Sequence, residues 1–266
     1  MTGEVVDPVT GWVTSQRPQP GKPFVRVPRR VPSPAGPCAF CAETASLAAP
    51  VFVRENRWQP FAAPSRADLV ISARHVIGAE DLTSVEHLAL VEALADLDAQ
   101  HARDFAFTRC FCNVGVGAAS SQPHLHAQVV SHAISSPNRL HVDTTRATLE
   151  RDYAAAAARG LVLEGSATTR VYVAPAPLRT GEIRVQAASL ETLSDALRDV
   201  LVRLARTVGS LDYNLFFHFR GSRPFAQVLA VVDQAPGVYP LLDGLCVVSV
   251  PPEEWAERLR STSVAR

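Results

Sequence analysis

The sequence lacks a long apolar run, an excess of charge of one sign and a dense set of cysteines. No segment approaches the ~18 consecutive apolar residues of a membrane span, and the N-terminus has no signal-like apolar stretch, so we expect a soluble, cytoplasmic protein. Lys plus Arg equals Asp plus Glu at 26 each, which argues against nucleic acid or an anionic membrane as a partner. A small phosphorylated ligand remains compatible, because a local arginine cluster can bind it.

The cysteines are too sparse for a disulfide framework, with five among 266 residues. Cys38 and Cys41 form a CxxC pair, which in a reducing compartment indicates a metal knuckle or a redox pair. Cys110 and Cys112 alternate along a predicted strand, so buried core thiols are expected there. The 47% of hydrophobic residues can bury a large core, either in one domain or in two smaller ones.

Proline and arginine dominate the first 37 residues, which predicts an extended arm, although a disordered tail has the same composition. Weak alternation over Val5–Thr14 indicates a short strand within it. Beyond residue 51 the pattern predicts strand–strand–helix–strand–strand twice, roughly 100–115 residues apart. The predicted elements are 51–53, 68–72, 81–100, 105–115 and 124–130, then 170–175, 181–187, 189–209, 213–220 and 224–233. Helices are also expected at 145–158 and 251–260.

The two copies differ at one informative point. Ala127-Gln128-Val129-Val130 matches Ala226-Gln227-Val228-Leu229, but Arg223-Pro224-Phe225 stands where the first copy has His124-Leu125-His126. We therefore expect an internal duplication that keeps the histidines in the first copy only.

His124, His126 and Gln128 recur at a spacing of two, so a strand would point all three to one face. Such a polar row is costly unless its members have partners or a function. The non-functional alternative is an exposed edge strand on which the histidines have no role. If His124 binds a metal, His126 is the free imidazole, a side chain suited to attack phosphorus near pH 7.

Four side chains form a candidate zinc site: Cys38, Cys41, His75 and His124. The alternative is that both thiols are buried and inert. Near His126, the candidate donors for phosphoryl oxygens are Gln128, Ser121 and the backbone amides of residues 117–120. Asn56 and Asn113 can bind a ribose or a base, and a turn-forming role is equally compatible with each.

Together these residues resemble the histidine-triad (HIT) superfamily, with Gln128 at the third position of the motif. In that superfamily a third histidine accompanies hydrolases, and a glutamine accompanies nucleotidyltransferases. The similarity is greatest to the galactose-1-phosphate uridylyltransferase family and spans essentially the whole chain. Its motifs are Asp7–Val13 with Arg17-Pro18, Cys38–Cys41, Ser72–His75, Phe111–Gly115, Ser121–Gln128 and Pro251–Glu254.

The resemblance implies an α+β fold of two tandem HIT-like repeats, each an antiparallel sheet with a long helix packed on it. The corresponding divisions are an arm over 1–37, the catalytic repeat over 38–140, a linker with a helix over 141–164 and a degenerate repeat over 165–266. Family members commonly dimerise, so a homodimer is a candidate assembly.

The resemblance also assigns roles. His126 would be the nucleophile of a ping-pong nucleotidyltransferase, and Gln128 would contact the phosphoryl oxygens. Asn56, Asn113, Ser121 and Arg17 would bind the nucleotide. Cys38, Cys41, His75 and His124 would hold one structural Zn²⁺ per chain. The donor would be a nucleotide sugar or another nucleoside diphosphate derivative, and the acceptor a phosphorylated small molecule.

Departures from the family widen the choice of activity. The second repeat lacks the histidines of the family's additional metal site, so we expect no second metal. The family's hexose-phosphate segment is not recognisable over 238–246. A diverged transferase or a phosphorylase therefore fits better than a galactose enzyme. The alternatives are a hydrolase, which Gln128 disfavours, and a non-catalytic nucleotide-binding zinc module.

Overall fold

The computed structural model describes residues 3–16, 37–61, 64–133, 143–209, 212–232, 245–248 and 250–262. The strands of these residues are β1 Gly3–Val6, β2 Val13–Gln16, β3 Val51–Glu55, β4 Ser65–Ser72, β5 Phe107–Val114, β6 His126–His132, β7 Val162–Gly165, β8 Thr169–Val173, β9 Glu182–Ala187, β10 Tyr213–His218, β11 Phe225–Ala230 and β12 Leu245–Val248. The helices are α1 Ala39–Thr44, α2 Ser84–His101, α3 Arg146–Ala158, α4 Leu190–Val208 and α5 Pro252–Ser261. Across these ranges, no helix combines the length and the apolarity that a bilayer crossing demands.

Within the described ranges, nine strands form one sheet in the order β3-β4-β6-β5-β10-β11-β9-β8-β7. Every neighbouring pair in this sheet is antiparallel. A smaller sheet joins β1, β2 and β12, with β12 parallel to β2. The predicted α+β class and the antiparallel sheet with long helices are confirmed.

The strand order is the same on both sides of the β5–β10 pair. Reading outward, β5, β6, β4 and β3 correspond to β10, β11, β9 and β8. The register agrees, because Gln128 lies opposite Phe111, Gln227 lies opposite Phe216, and the two phenylalanines lie opposite each other. The alignment of Gln128 with Gln227 fits this register. That the halves are duplicated HIT-like repeats stays a prediction.

Helices α2 and α4 pack side by side on one face of the large sheet. Each starts with a capping box, Thr83 with Glu86 in α2 and Ser189 with Thr192 in α4, which satisfies backbone N–H groups that the first turn leaves unpaired. Their apolar stripes meet alternate residues of the central strands. The core contains Leu90, Val91, Leu94, Leu97, Cys110, Cys112, Ala127, Val129, Val185, Leu193, Leu197, Val200, Leu201, Leu204, Leu215 and Val228. Cys110 and Cys112 are buried core thiols, as expected.

The opposite face of the sheet differs between the halves. In the second half, α3 covers the strands, and Leu149 packs with Val9 and Phe225. Beneath it, the fully buried Arg184 pairs with Asp7, Asp152 and Glu182 at 2.7–2.9 Å. A buried guanidinium needs such partners, since an unpaired charge would be costly. In the first half the short α1 packs here instead, through Phe40 on Leu69 and Ile71.

Several local expectations were incomplete. The single strand expected over 5–14 is the hairpin β1–β2, because the Asp7 carboxylate accepts the amides of Val9 and Thr10 and turns the chain at Gly11, whose φ is +70°. The pattern also missed α1, β7 and β12, which have four to six residues each and are too short for periodicity to identify. Arg17 lies outside the described residues.

Candidate functional site

Four side chains from separate segments converge at one end of the large sheet. Cys38 precedes α1 and Cys41 lies in its first turn, so one helical turn brings both thiols to the same side. His75 follows β4 and His124 precedes β6. One ligand atom from each of the four residues lies within 4.8 Å of all the others. The structure thus brings together the four residues predicted to bind zinc.

The distances between these atoms suit a tetrahedral metal ion. Zn–S bonds of about 2.3 Å and Zn–N bonds of about 2.05 Å place sulfur and nitrogen about 3.6 Å apart. Cys38 Sγ and Cys41 Sγ each lie 3.6 Å from His124 Nδ1. Cys41 Sγ is closer to His75 Nδ1, at 3.0 Å, and the exposed His75 ring has room to adjust. Two thiolates and two imidazoles are a typical structural zinc set.

His124 is oriented for coordination by its second nitrogen. Its Nε2–H donates to the Ser72 carbonyl at 2.7 Å, which leaves Nδ1 unprotonated and directed toward the thiols. Burial lowers the pKa of His124, so the neutral, ligating form is favoured. Burial and the neighbouring Cys38 raise the pKa of the Cys41 thiol. A bound cation would offset this cost by stabilising the thiolates.

His126 is the first residue of β6 and is 5% exposed. Its Nδ1–H donates to the His124 carbonyl at 3.0 Å, so Nε2 is the nitrogen that carries a lone pair. The ring packs edge-on against Phe40, with centroids 5.1 Å apart. Burial lowers the pKa of His126, and the hydrogen bond to the His124 carbonyl offsets part of this by raising it. The positive charge of Arg54 lowers the pKa further. A neutral imidazole with a fixed tautomer is the form that nucleophilic attack requires.

A cavity of about 280 Å³ lies beside His126. Of the predicted residues, His126, Gln128, Ser121 and Asn56 line it. The remaining lining residues were not predicted as site residues, and they are Ala39, Phe40, Glu43, Arg54, Arg57, Trp58, Leu69 and Gln122. The cavity therefore combines the imidazole of His126 with cationic, aromatic and amide groups.

Strand register explains why Arg54 and Gln128 share this cavity. Arg54 lies opposite Leu69, and Leu69 lies opposite Gln128, so all three point to the same face. The alternation of residues in β3 could have predicted which face of the sheet Arg54 lies on. No local pattern showed that β3 would lie two strands from β6. Phe40 lies between the two cysteines of the CxxC pair, but nothing in the sequence predicted that it would contact His126.

The expectation that the backbone amides of residues 117–120 are free to bind phosphoryl oxygens was wrong. The amides of residues 117–120 already have internal partners: Gly117 N–H donates to the Asp212 carboxylate, and the next three donate to backbone carbonyls. The turn thus binds an internal anion in place of a substrate. Asn56 lines the cavity, and its side-chain oxygen accepts the Trp58 amide at 3.0 Å, which is the anticipated turn-forming role. A nucleotide contact by Asn56 stays a prediction.

Asn113 is outside the lining of this cavity. Its side-chain oxygen accepts a hydrogen bond from Asn214 Nδ2 at 2.8 Å, across the β5–β10 pair. A nucleotide contact by Asn113 stays a prediction.

A second cavity of about 250 Å³ lies at the opposite end of β5 and β10, lined in part by Arg109, His218 and Arg220. It contains none of the predicted site residues. His218 there donates its Nε2–H to Gln227 Oε1 at 3.0 Å, and loss of solvation lowers the pKa of His218 to about 4. His126 differs from His218 in that its ring adjoins both a cavity and the four side chains that could hold a metal ion.

The antiparallel sheet and helices have the fold of solved uridylyltransferase, GalT-like and ADP-glucose phosphorylase structures, which confirms the resemblance at the level of fold. One solved structure with this fold is an ADP-glucose phosphorylase from Arabidopsis thaliana with bound ADP-glucose (TM-score 0.73, 18% identity, 99% of this chain and 100% of that chain). Others are a GalT-like protein from Arabidopsis thaliana (TM-score 0.70, 18% identity, 99% and 100%) and a uridylyltransferase (TM-score 0.67, 18% identity, 98% of both chains).

No family model matches the chain, and no curated protein matches it.

Proposed function

We propose that the protein transfers a nucleoside monophosphate from a nucleotide sugar, or another nucleoside diphosphate donor, to a phosphate-bearing acceptor through a covalent nucleotidyl-His126 intermediate. The observation that carries this proposal is the state of His126. Its Nδ1–H is bonded to a backbone carbonyl, its Nε2 is unprotonated, and the ring adjoins a cavity lined by Gln128 and Arg54. The fold shared with a uridylyltransferase and an ADP-glucose phosphorylase supports it.

The reaction divides into two displacements. In the first, the Nε2 lone pair attacks the α-phosphorus, and the bond to the bridging oxygen breaks with its electron pair leaving on the departing phosphate. In the second, a phosphate oxygen of the acceptor attacks the same phosphorus, and the P–N bond returns its electron pair to Nε2. With a sugar phosphate as acceptor the enzyme is a transferase, and with inorganic phosphate it is a phosphorylase that releases a nucleoside diphosphate.

The surrounding residues position and stabilise the substrate. Gln128 lies two residues along β6 from His126 on the same face, where its amide can donate to a phosphoryl oxygen. Ser121 and Asn56 are assigned to the nucleotide because both line the cavity. Cys38, Cys41, His75 and His124 would hold zinc, and the metal would fix the segment whose carbonyl at residue 124 orients His126.

Covalent labelling tests the proposal. The protein is incubated with α-³²P-labelled ADP-, UDP-, GDP- and CDP-sugars without acceptor, and protein-bound label is tested for acid lability and base stability. Label is expected for at least one donor and is expected to disappear in His126→Ala. A matched control, His132→Ala, removes another histidine of the same face of β6 and is expected to keep the label.

Each outcome separates the candidate functions. Donor turnover without any acceptor would favour the hydrolase. The absence of both label and turnover would favour the non-catalytic module. This alternative is motivated by the second half of the sheet, where Gln227, the counterpart of Gln128, is buried and bonded to Glu182. Label that persists in His126→Ala would contradict the proposal.

A further inference from the structure

Arg54 brings a positive charge into the cavity that contains His126. The residue lies on β3, the edge strand, and its side chain reaches over β4 toward β6. Its guanidinium carbon lies 5.5 Å from the centre of the Phe40 ring, and the same ring contacts His126. One phenyl group therefore separates a fixed cation from the nucleophile.

The present partners of Arg54 satisfy it only in part. Glu43 Oε2 lies 2.7 Å from Nε, and one terminal nitrogen donates to the Glu55 carbonyl at 3.0 Å. The Nε–H does not point along the short contact, so within the described part of the chain this buried group has no hydrogen-bond partner. Both side chains of the ion pair retain solvent contact, at 19% and 26% exposure. Because the contact is poorly aligned and both side chains reach solvent, an incoming anion can compete with Glu43 for the guanidinium.

A phosphoryl group would satisfy Arg54 better than Glu43 does. Arginine binds phosphate oxygens through two parallel N–H donors, and such charge-assisted bonds are about twice as strong as neutral ones. The rest of the cavity floor between Arg54 and Gln128 is the apolar side chain of Leu69, which cannot compensate a negative charge. An anion beside His126 therefore has Arg54 on one flank and Gln128 on the other.

We infer that Arg54 is a phosphate-binding residue of this cavity, and that Glu43 holds its guanidinium until an anionic substrate enters. The inference rests on the proposed function only in that a phosphorylated nucleotide occupies the cavity. It assigns the substrate class as ligands with an ionised phosphoryl group beside His126, so a neutral nucleoside gains nothing from Arg54.

Equilibrium binding measures this directly. Isothermal titration with ADP, UDP, GDP and CDP is performed on the wild type, Arg54→Gln, Arg54→Lys, Glu43→Gln and the control Arg258→Gln, which loses a guanidinium paired with Glu254 on α5. Arg54→Gln is expected to weaken the best-bound diphosphate by roughly tenfold or more, since a charged hydrogen bond is worth about 1.5–3 kcal/mol. Lysine should restore part of the loss, and Arg258→Gln should change nothing.

Glu43→Gln gives an independent result, because removing the competing carboxylate should tighten diphosphate binding by at least twofold. It decides the matter if Arg54→Gln fails to fold in a thermal melt. Unchanged diphosphate affinity in Arg54→Gln would overturn the inference. If Arg54→Gln is unfolded, unchanged affinity in Glu43→Gln would overturn it instead. In either case, labelling of His126 would leave the proposed function intact. A wild type that binds no diphosphate and takes no label would overturn both.

Discussion

Removal of the zinc proposed for Cys38, Cys41, His75 and His124 is expected to lower the melting temperature while most of the fold persists. A ligand present at 100 times its dissociation constant stabilises the folded state by about 2.7 kcal/mol. In a chain of this size, 1 kcal/mol shifts the melting temperature by about 2–4 °C, so chelation should cost about 5–10 °C.

The loss should be local because the group anchors little more than α1. That helix has six residues and docks through Phe40, whereas α2 and α4 pack on the other face of the sheet. Far-ultraviolet circular dichroism should therefore stay nearly unchanged after chelation. Cobalt substitution should give the absorption of a tetrahedral site with sulfur ligands.

The assay combines metal analysis with scanning fluorimetry before and after chelation and after zinc is restored. Cys41→Ser should lower both metal content and melting temperature, since its sulfur contacts both histidines. Cys110→Ala, a thiol outside the group, should keep the metal. A full equivalent of zinc in Cys41→Ser, or a melting temperature indifferent to chelation, would refute the assignment of these ligands.

Three further predictions concern the core and the packing over the site. His87 is fully buried and bonded to Ser194, and burial lowers its pKa from 6.5 to about 4. Between these pH values the unfolded state binds more protons than the folded state. The free energy of unfolding should therefore fall by up to about 3 kcal/mol as the pH drops from 6.5 to 4. Urea titrations of His87→Phe should lack this pH-dependent loss. Arg184→Met leaves the buried carboxylate of Asp7 without its cation and should lower the free energy of unfolding by about 3–5 kcal/mol; a urea midpoint equal to that of the wild type would count against it. Phe40→Ala should cost about 3 kcal/mol and reduce His126 labelling, checked by urea titration and labelling on the same sample.

The parts of the site that the sequence revealed are those encoded within short segments. The CxxC spacing, the alternation of His124, His126 and Gln128, and the exposed turn at Asn56 are local patterns with local chemistry. The long helices were visible for the same reason, since their stripes repeat over many turns. Their bounds shifted by up to three residues, as at α2, which begins at Ser84 after its N-cap Thr83, where the pattern placed the start at residue 81.

The parts that remained hidden depend on contacts between distant residues. Arg54 joins the cavity only because β3 pairs beside β4 and β4 beside β6. The Gly117 amide donates to the carboxylate of Asp212, 95 residues away, and the Asn113 side-chain oxygen accepts from Asn214, 101 residues away. No local pattern predicts that a turn suited to phosphate binds a carboxylate of its own chain.

Intact-mass spectrometry of the protein after mixing with a donor tests the role of His126 most directly. The account predicts a mass increase of one nucleotidyl group (a nucleoside monophosphate less one water), located by peptide mapping to His126. This increase should be lost on addition of phosphate or a sugar phosphate, with release of the corresponding product. The same mass on another residue, or its absence for every donor that binds, would contradict it.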